Sequence, residues 1–139
     1  MDCLFDKRGD CMSIAFTISY SEYKELIDHA YKNRGGIDGQ RGTLKTSTAI
    51  RIRKRMVEDI TKGTILPPLV IGAAVKEADY NEFEKKNEEA LLIWLKENAS
   101  SLSLIDGMQR TTAMFEAEKS IDLSEYKIRI ELWLAHTVN

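Results

Sequence analysis

The stretch SLSLIDGMQRTTAM, Ser101 to Met114, decides how the fold is read. SLSLI is a short apolar run of strand length, Asp106-Gly107 interrupts it, and MQRTTAM restarts as a helix. The segment therefore predicts a strand, a tight turn and a helix in immediate succession. A looser copy of the wording, GGIDGQRG from Gly35 to Gly42, places a second Asp-Gly and a second Gln-Arg pair in the same chain.

Working outward, the same grammar of alternating strands and helices recurs. Upstream, Pro67-Pro68 fix an extended entry into LVIGAAV, which is short, β-branched and uncharged, as a buried strand should be. Between these strands YNEFEKKNEEALLIWLKENA, Tyr80 to Ala99, predicts one charged helix whose last third is apolar. Downstream, YKIRIELWLA, Tyr126 to Ala135, sets Ile128, Ile130, Leu132 and Leu134 against Lys127, Arg129, Glu131 and Trp133, the period-2 pattern of a strand with one buried face.

Toward the N-terminus, Ser19 and Glu22 have capping-box spacing. Tyr23, Leu26, Ile27, Ala30 and Tyr31 then recur at helical spacing up to Gly35-Gly36. Ser47 to Lys62 repeats the design, with Ile52, Met56, Val57 and Ile60 assigned to one side and Gly63 at the end. The fold class is mixed α+β: a small mixed sheet flanked by helices. Residues 1–18 read as an N-terminal extension and 19–139 as the domain, with 80–100 as an insertion helix. A final strand so regular would ordinarily lead into further structure, so the expectation is a domain truncated at its C-terminus or completed by a partner.

Composition bounds the function. The chain has 139 residues, 43% hydrophobic and 30% charged, enough for a single core. A net charge of −2, from 20 basic and 22 acidic residues, gives no global attraction to nucleic acid, so any such contact must come from a local patch. No segment approaches the roughly 20 apolar residues of a membrane helix, and the first 20 residues carry no secretory-type run, which gives a cytoplasmic expectation and no membrane partner. Cys3 and Cys11 have no histidine nearby and fit no zinc spacing, so they read as reduced and unligated.

The chemistry concentrates at Asp106 to Arg110. A strand turning through Asp-Gly into a helix presents the first-turn N–H groups, and with the helix dipole these favour an anion such as phosphate. Gly107 suits the turn and lets a ligand approach the backbone. Arg110 can grip a phosphate through two parallel hydrogen bonds. Asp106 can hold Mg²⁺, bond a ribose hydroxyl or cap the helix. Asp-Gly is equally one of the commonest turn dipeptides, and the same residues read as a structural turn.

RIRKR, Arg51 to Arg55, is the one basic run. Arg51, Lys54 and Arg55 share a helical face and can meet DNA phosphates or a triphosphate without base specificity. The same residues also read as a solvated face, with Glu58 and Asp59 close to Arg55. GQRGTLKTS lacks the glycine before Lys45 that a phosphate loop needs. His29, beside an apolar stripe, reads as packing or solvated rather than catalytic, and Trp94, on an amphipathic helix, as core or interface rather than a ligand platform.

LIDGMQRTTAM, preceded by a Pro-Pro strand and followed by a helix and a strand, resembles the signature of the DGQHR and DGQQR domains of the ParB/sulfiredoxin-like superfamily. Asp106, Gly107, Gln109 and Arg110 match the motif, and Met108 replaces its first Gln. The spacing of Gly107, Arg110 and Ala113 is similar to the nucleotide-binding box of ParB proteins. Gln40-Arg41, the helix Ser47 to Lys62 and ILPPLVIGAAV occur in the order these families show. The turn has no cysteine like that of sulfiredoxins, which speaks against peroxiredoxin repair.

The resemblance implies a nucleotide-binding, NTP-hydrolysing domain of a bacterial DNA modification or restriction system acting in anti-phage defence, with a nucleoside triphosphate and Mg²⁺ as cofactors. It implies catalytic roles for Asp106, Gln109 and Arg110, and a phosphate site formed by Gly107, Met108 and Arg110 with Gln40 and Arg41 entering from the opposite side. No residue is assigned as a resident metal ligand. One alternative is a DNA-binding regulator of a phosphorothioation operon that uses Arg51, Lys54 and Arg55 without turnover. Another is a non-catalytic interaction module. The expected partners are DNA, other proteins of the same system and, in a homo-oligomer, further copies of the chain.

Overall fold

The computed structural model describes residues 1–34 and 46–136. Gln40 and Arg41, with the rest of the GGIDGQRG copy and Lys45, lie outside the described residues. The strands are β1 (Asp2–Asp6), β2 (Cys11–Ser19), β3 (Leu69–Val75), β4 (Ser103–Asp106) and β5 (Lys127–His136). They form one mixed sheet in the order β1-β2-β5-β3-β4, in which only the β3–β5 pairing is parallel. The helices are α1 (Tyr20–Arg34), α2 (Ser47–Thr61), α3 (Glu77–Phe83), α4 (Glu88–Glu97) and α5 (Met108–Ala117).

Alternation in the strands fixes which way the sheet faces. Met12, Ile14, Phe16 and Ile18 of β2 are buried, as are Ile128, Ile130, Leu132 and Leu134 of β5, while Ala15, Thr17, Lys127 and Arg129 between them are exposed. The helices cover the first face. Tyr23, Leu26, Ile27 and Ala30 of α1 and Ala113, Met114 and Ala117 of α5 complete the core, each large apolar side chain contributing roughly 1.5–3 kcal/mol by its burial. No helix among the described residues is long and apolar enough to cross a membrane.

Several expectations hold and several change. The Ser19–Glu22 capping box forms, with the Ser19 N–H donating to Glu22 Oε1 at 3.0 Å and the Glu22 N–H to Ser19 Oγ at 3.2 Å. LVIGAAV is β3 residue for residue. The stretch read as an N-terminal extension instead supplies β1 and β2, and β2 pairs with β5 along its whole length. The single helix expected over Tyr80 to Ala99 is two, because the chain breaks after Phe83 and Asn87 caps α4 through Ala90 N at 2.8 Å.

Ile52 does not join the buried side of α2 but is 56% exposed. The inward stripe of α2 runs through Ala49, Arg53, Met56, Val57 and Ile60, of which only Ile60 is fully buried. Ile52 falls on the flank of that stripe.

Candidate functional site at the β4–α5 turn

Asp106 ends β4 opposite Val70 of β3, where the β3–β4 register shifts by a bulge between Val70 and Ile71. The chain then turns through Gly107, at φ +119 and ψ 16, into α5. The glycine has two local causes. That φ is closed to residues with a side chain, and a Cβ at this position would come within 2.3 Å of Leu69 Cδ2. Leu69 is fully buried, so the space beside Gly107 is filled by protein rather than left open to a ligand.

The start of α5 has no side-chain cap. α2 and α4, by contrast, are capped by Thr46 and Asn87. The Asp106 carboxylate does not turn onto the helix end. It faces Arg110, with Oδ2 3.5 Å from Nη2 and its side chain 69% exposed. Arg110 lies against the protein and is anchored across to the entry of β3, its Nη2 donating to the Pro68 carbonyl at 2.9 Å. Its Nε is shielded from solvent and makes no hydrogen bond.

Beneath the turn runs a chain of buried hydroxyls. Thr111 Oγ1 donates to the Gly107 carbonyl at 2.8 Å, and Tyr23 Oη lies 2.8 Å from the same Thr111 oxygen. The single Thr111 proton is spent on Gly107, so Tyr23 is the donor to Thr111. Burial pushes the Tyr23 phenol well above its usual range, against smaller opposing pulls from the Thr111 hydrogen bond and the Arg110 charge. One helical position on, Tyr31 Oη is 3.0 Å from Thr112 Oγ1, and the Tyr31 ring packs edge-on to Phe115 with centroids 4.8 Å apart. Two tyrosines of α1 thus hold the first half of α5 from below.

Gln109 points toward α2. Its Oε1 accepts from Arg53 Nη1 at 3.3 Å, and Arg53 Nε lies 3.6 Å from Oε1 of Glu116, about two turns further along α5. A notch of about 140 Å³ lined by Ala49, Ile52, Arg53, Met56 and Gln109 opens at this junction. Two larger clefts, of about 560 and 540 Å³, lie elsewhere and do not include Asp106, Gly107 or Arg110.

The structure therefore brings Asp106 and Arg110 together, turns Gln109 into the α2–α5 contact and packs Met108 against the core. Arg51, Lys54 and Arg55 are exposed on the outer side of α2, away from that contact. Sequence reading missed Arg53, although its spacing from Ala49, Met56, Val57 and Ile60 places it in the inward stripe. It also missed the Tyr23–Thr111 and Tyr31–Thr112 pairs, whose partners are 88 and 81 residues apart in the chain and carry no local signature. No group of three or more His, Cys, Asp or Glu side chains among the described residues is placed to hold a metal ion.

Comparison of the chain with protein-family models, with curated proteins and with solved structures gave no match.

Proposed function

We propose that this chain is a nucleotide-binding, NTP-hydrolysing domain of the DGQHR type, working in the cytoplasm within a DNA modification or restriction system. The observation that carries the reading is the uncapped start of α5 beside a guanidinium held in place by the Pro68 carbonyl. Backbone N–H groups at a helix start attract an anion through partial charge and dipole, and a pre-positioned arginine adds charge-assisted hydrogen bonds without first having to be ordered.

Asp106 fits the part of a Mg²⁺ ligand in a limited way. It is exposed and stands at the turn, so a bound Mg²⁺ would take one protein carboxylate and draw its other ligands from phosphate oxygens and water. Gln109 is supported as a positioning group through Arg53 rather than as a group reaching the reacting atoms.

The test is calorimetric titration of the four nucleoside triphosphates with Mg²⁺, followed by a phosphate-release assay. Arg110→Ala is expected to weaken binding roughly tenfold or more, as the loss of charge-assisted hydrogen bonds predicts. Unchanged binding and turnover in Arg110→Ala and Asp106→Ala would exclude this site.

A DNA-binding role is supported by the exposure of Arg51, Lys54 and Arg55. On the same helix Glu58 stands four residues from Lys54 and three from Arg55, and it dilutes the patch. If this face carries DNA, Arg51→Ala with Arg55→Ala lowers the salt dependence of duplex binding by about two phosphate contacts.

A further inference from the structure

A second site lies on the other side of α1. The cleft of about 560 Å³ between α1 and the segment joining α5 to β5 has the size of a small-molecule site, roughly 300–1,000 Å³. Its charged lining is four carboxylates, Glu25, Asp28, Glu118 and Asp122, to one ammonium, Lys24. The carboxylates are spread along the cleft, and none of them joins a cluster placed to hold a metal ion. Ile121 and Leu123 lie between the charged positions as an apolar strip.

The independent mark of a ligand is Tyr20. It lines this cleft, is 2% exposed, and its hydroxyl is shielded from solvent without a hydrogen bond. Burial, and after it the neighbouring Glu118, raise the Tyr20 pKa, although Glu118 does not meet the hydroxyl in hydrogen-bonding geometry. The Glu118 carboxylate is instead occupied by Lys24, whose Nζ donates to both of its oxygens at 2.7 and 3.0 Å. Tyr20 thus sits beside a carboxylate that is held by a cation from the cleft wall, with Lys24 half exposed.

The remaining carboxylates are easily reached. Asp28 is paired with Lys32 at 3.1 Å and Glu25 with Lys96 at 3.7 Å, all with exposed side chains, and such pairs yield readily to a competing cation. Asp122 accepts the Ser124 N–H at 2.9 Å, which holds its carboxyl below the usual carboxylate range and therefore ionised.

We infer that this cleft binds a linear aliphatic polyamine, whose ammonium groups meet the separated carboxylates and whose methylenes lie on Ile121 and Leu123. One ammonium takes the place of Lys24 at Glu118. Spaced charges joined by an apolar chain match spaced carboxylates joined by an apolar strip. A compact dication has no cluster here to occupy.

The test is calorimetric titration of the full chain with spermidine, putrescine and butylamine at two salt concentrations. Spermidine is expected to bind tightest and butylamine weakest, with affinity falling as salt rises. The double variant Asp28→Asn, Asp122→Asn is expected to lose roughly tenfold for spermidine, the combined loss of two exposed ion pairs. Circular dichroism checks that it folds. In the spermidine complex the Tyr20 and Glu118 side-chain resonances should shift, and Tyr20→Phe should remove part of that response. Equal binding of butylamine and spermidine, or an affinity unmoved by the double variant, overturns the proposal. So does the absence of spermidine binding.

Discussion

Gly107→Ala tests the tightest of the described glycine positions. At φ +119 an alanine pays a backbone strain of about 1–3 kcal/mol, the usual cost of holding a residue outside its allowed regions. Its methyl would also lie 2.3 Å from Leu69 Cδ2. Leu69 is fully buried and cannot swing into solvent, so relief must come from neighbouring side chains, an overpacking cost of about 1–3 kcal/mol. The two effects together give about 2–6 kcal/mol, a large part of the roughly 5–15 kcal/mol that stabilises a typical domain.

Urea unfolding followed by circular dichroism reads this directly. With a slope near 2 kcal/mol per molar, the midpoint should fall by roughly 1–3 M. A double-mutant cycle separates the two causes. Leu69→Ala alone should cost about 2–5 kcal/mol, but added to Gly107→Ala it should cost less, because the cavity accepts the new methyl. The part of the cost that persists in the double variant is the backbone strain. A Gly107→Ala protein within about 0.5 kcal/mol of the parent would refute both the φ and the contact.

The other predictions concern the contacts that position α5. Tyr23→Phe removes the donor to Thr111 and should cost about 0.5–1.5 kcal/mol near neutral pH, measured as a fall in Tm. The same variant should flatten the alkaline limb of the stability curve. Burial raises the folded-state pKa of Tyr23 above the unfolded value near 10, so its contribution is fully present below pH 10 and is lost as pH rises further. An unchanged slope above pH 10 in Tyr23→Phe would contradict that assignment. Arg53→Met keeps an apolar stem but loses the bonds to Gln109 and Glu116, and should destabilise by about 1–2 kcal/mol with faster amide exchange in α2; equal protection would show the clamp to be idle.

Much of the architecture is legible in the sequence because it is written in local periods. The two-residue alternation of Ile128 to Leu134, the uncharged run after Pro67-Pro68 and the Ser19–Glu22 box each specify an element without reference to the rest of the chain. The strand over residues 11–19 is equally present in the alternation of Met12, Ile14, Phe16 and Ile18, whose buried face is completed only by the distant β5. What local pattern does not carry is pairing across distance. Nothing near Thr111 announces Tyr23, and nothing near Arg110 announces the Pro68 carbonyl. The turn itself was readable, while the network that makes it rigid required the fold.

That distinction changes what the turn residues are evidence for. A glycine after a strand and before a helix invites the reading that backbone must be bared to a ligand, yet Gly107 is buried and its missing side chain is accounted for by Leu69 and by φ. Met108 packs on the core, and Gln109 is turned to Arg53. Three of the five residues from 106 to 110 are thus explained by folding alone. The proposed anion affinity at this turn rests on Arg110 and the uncapped N–H groups, with Asp106 reserved for Mg²⁺, which is why the Arg110→Ala titration discriminates where Gly107→Ala cannot. A Gly107 variant that lost nucleotide binding would report a displaced helix, whereas an Arg110 variant that kept its stability and lost binding would report the phosphate contact itself.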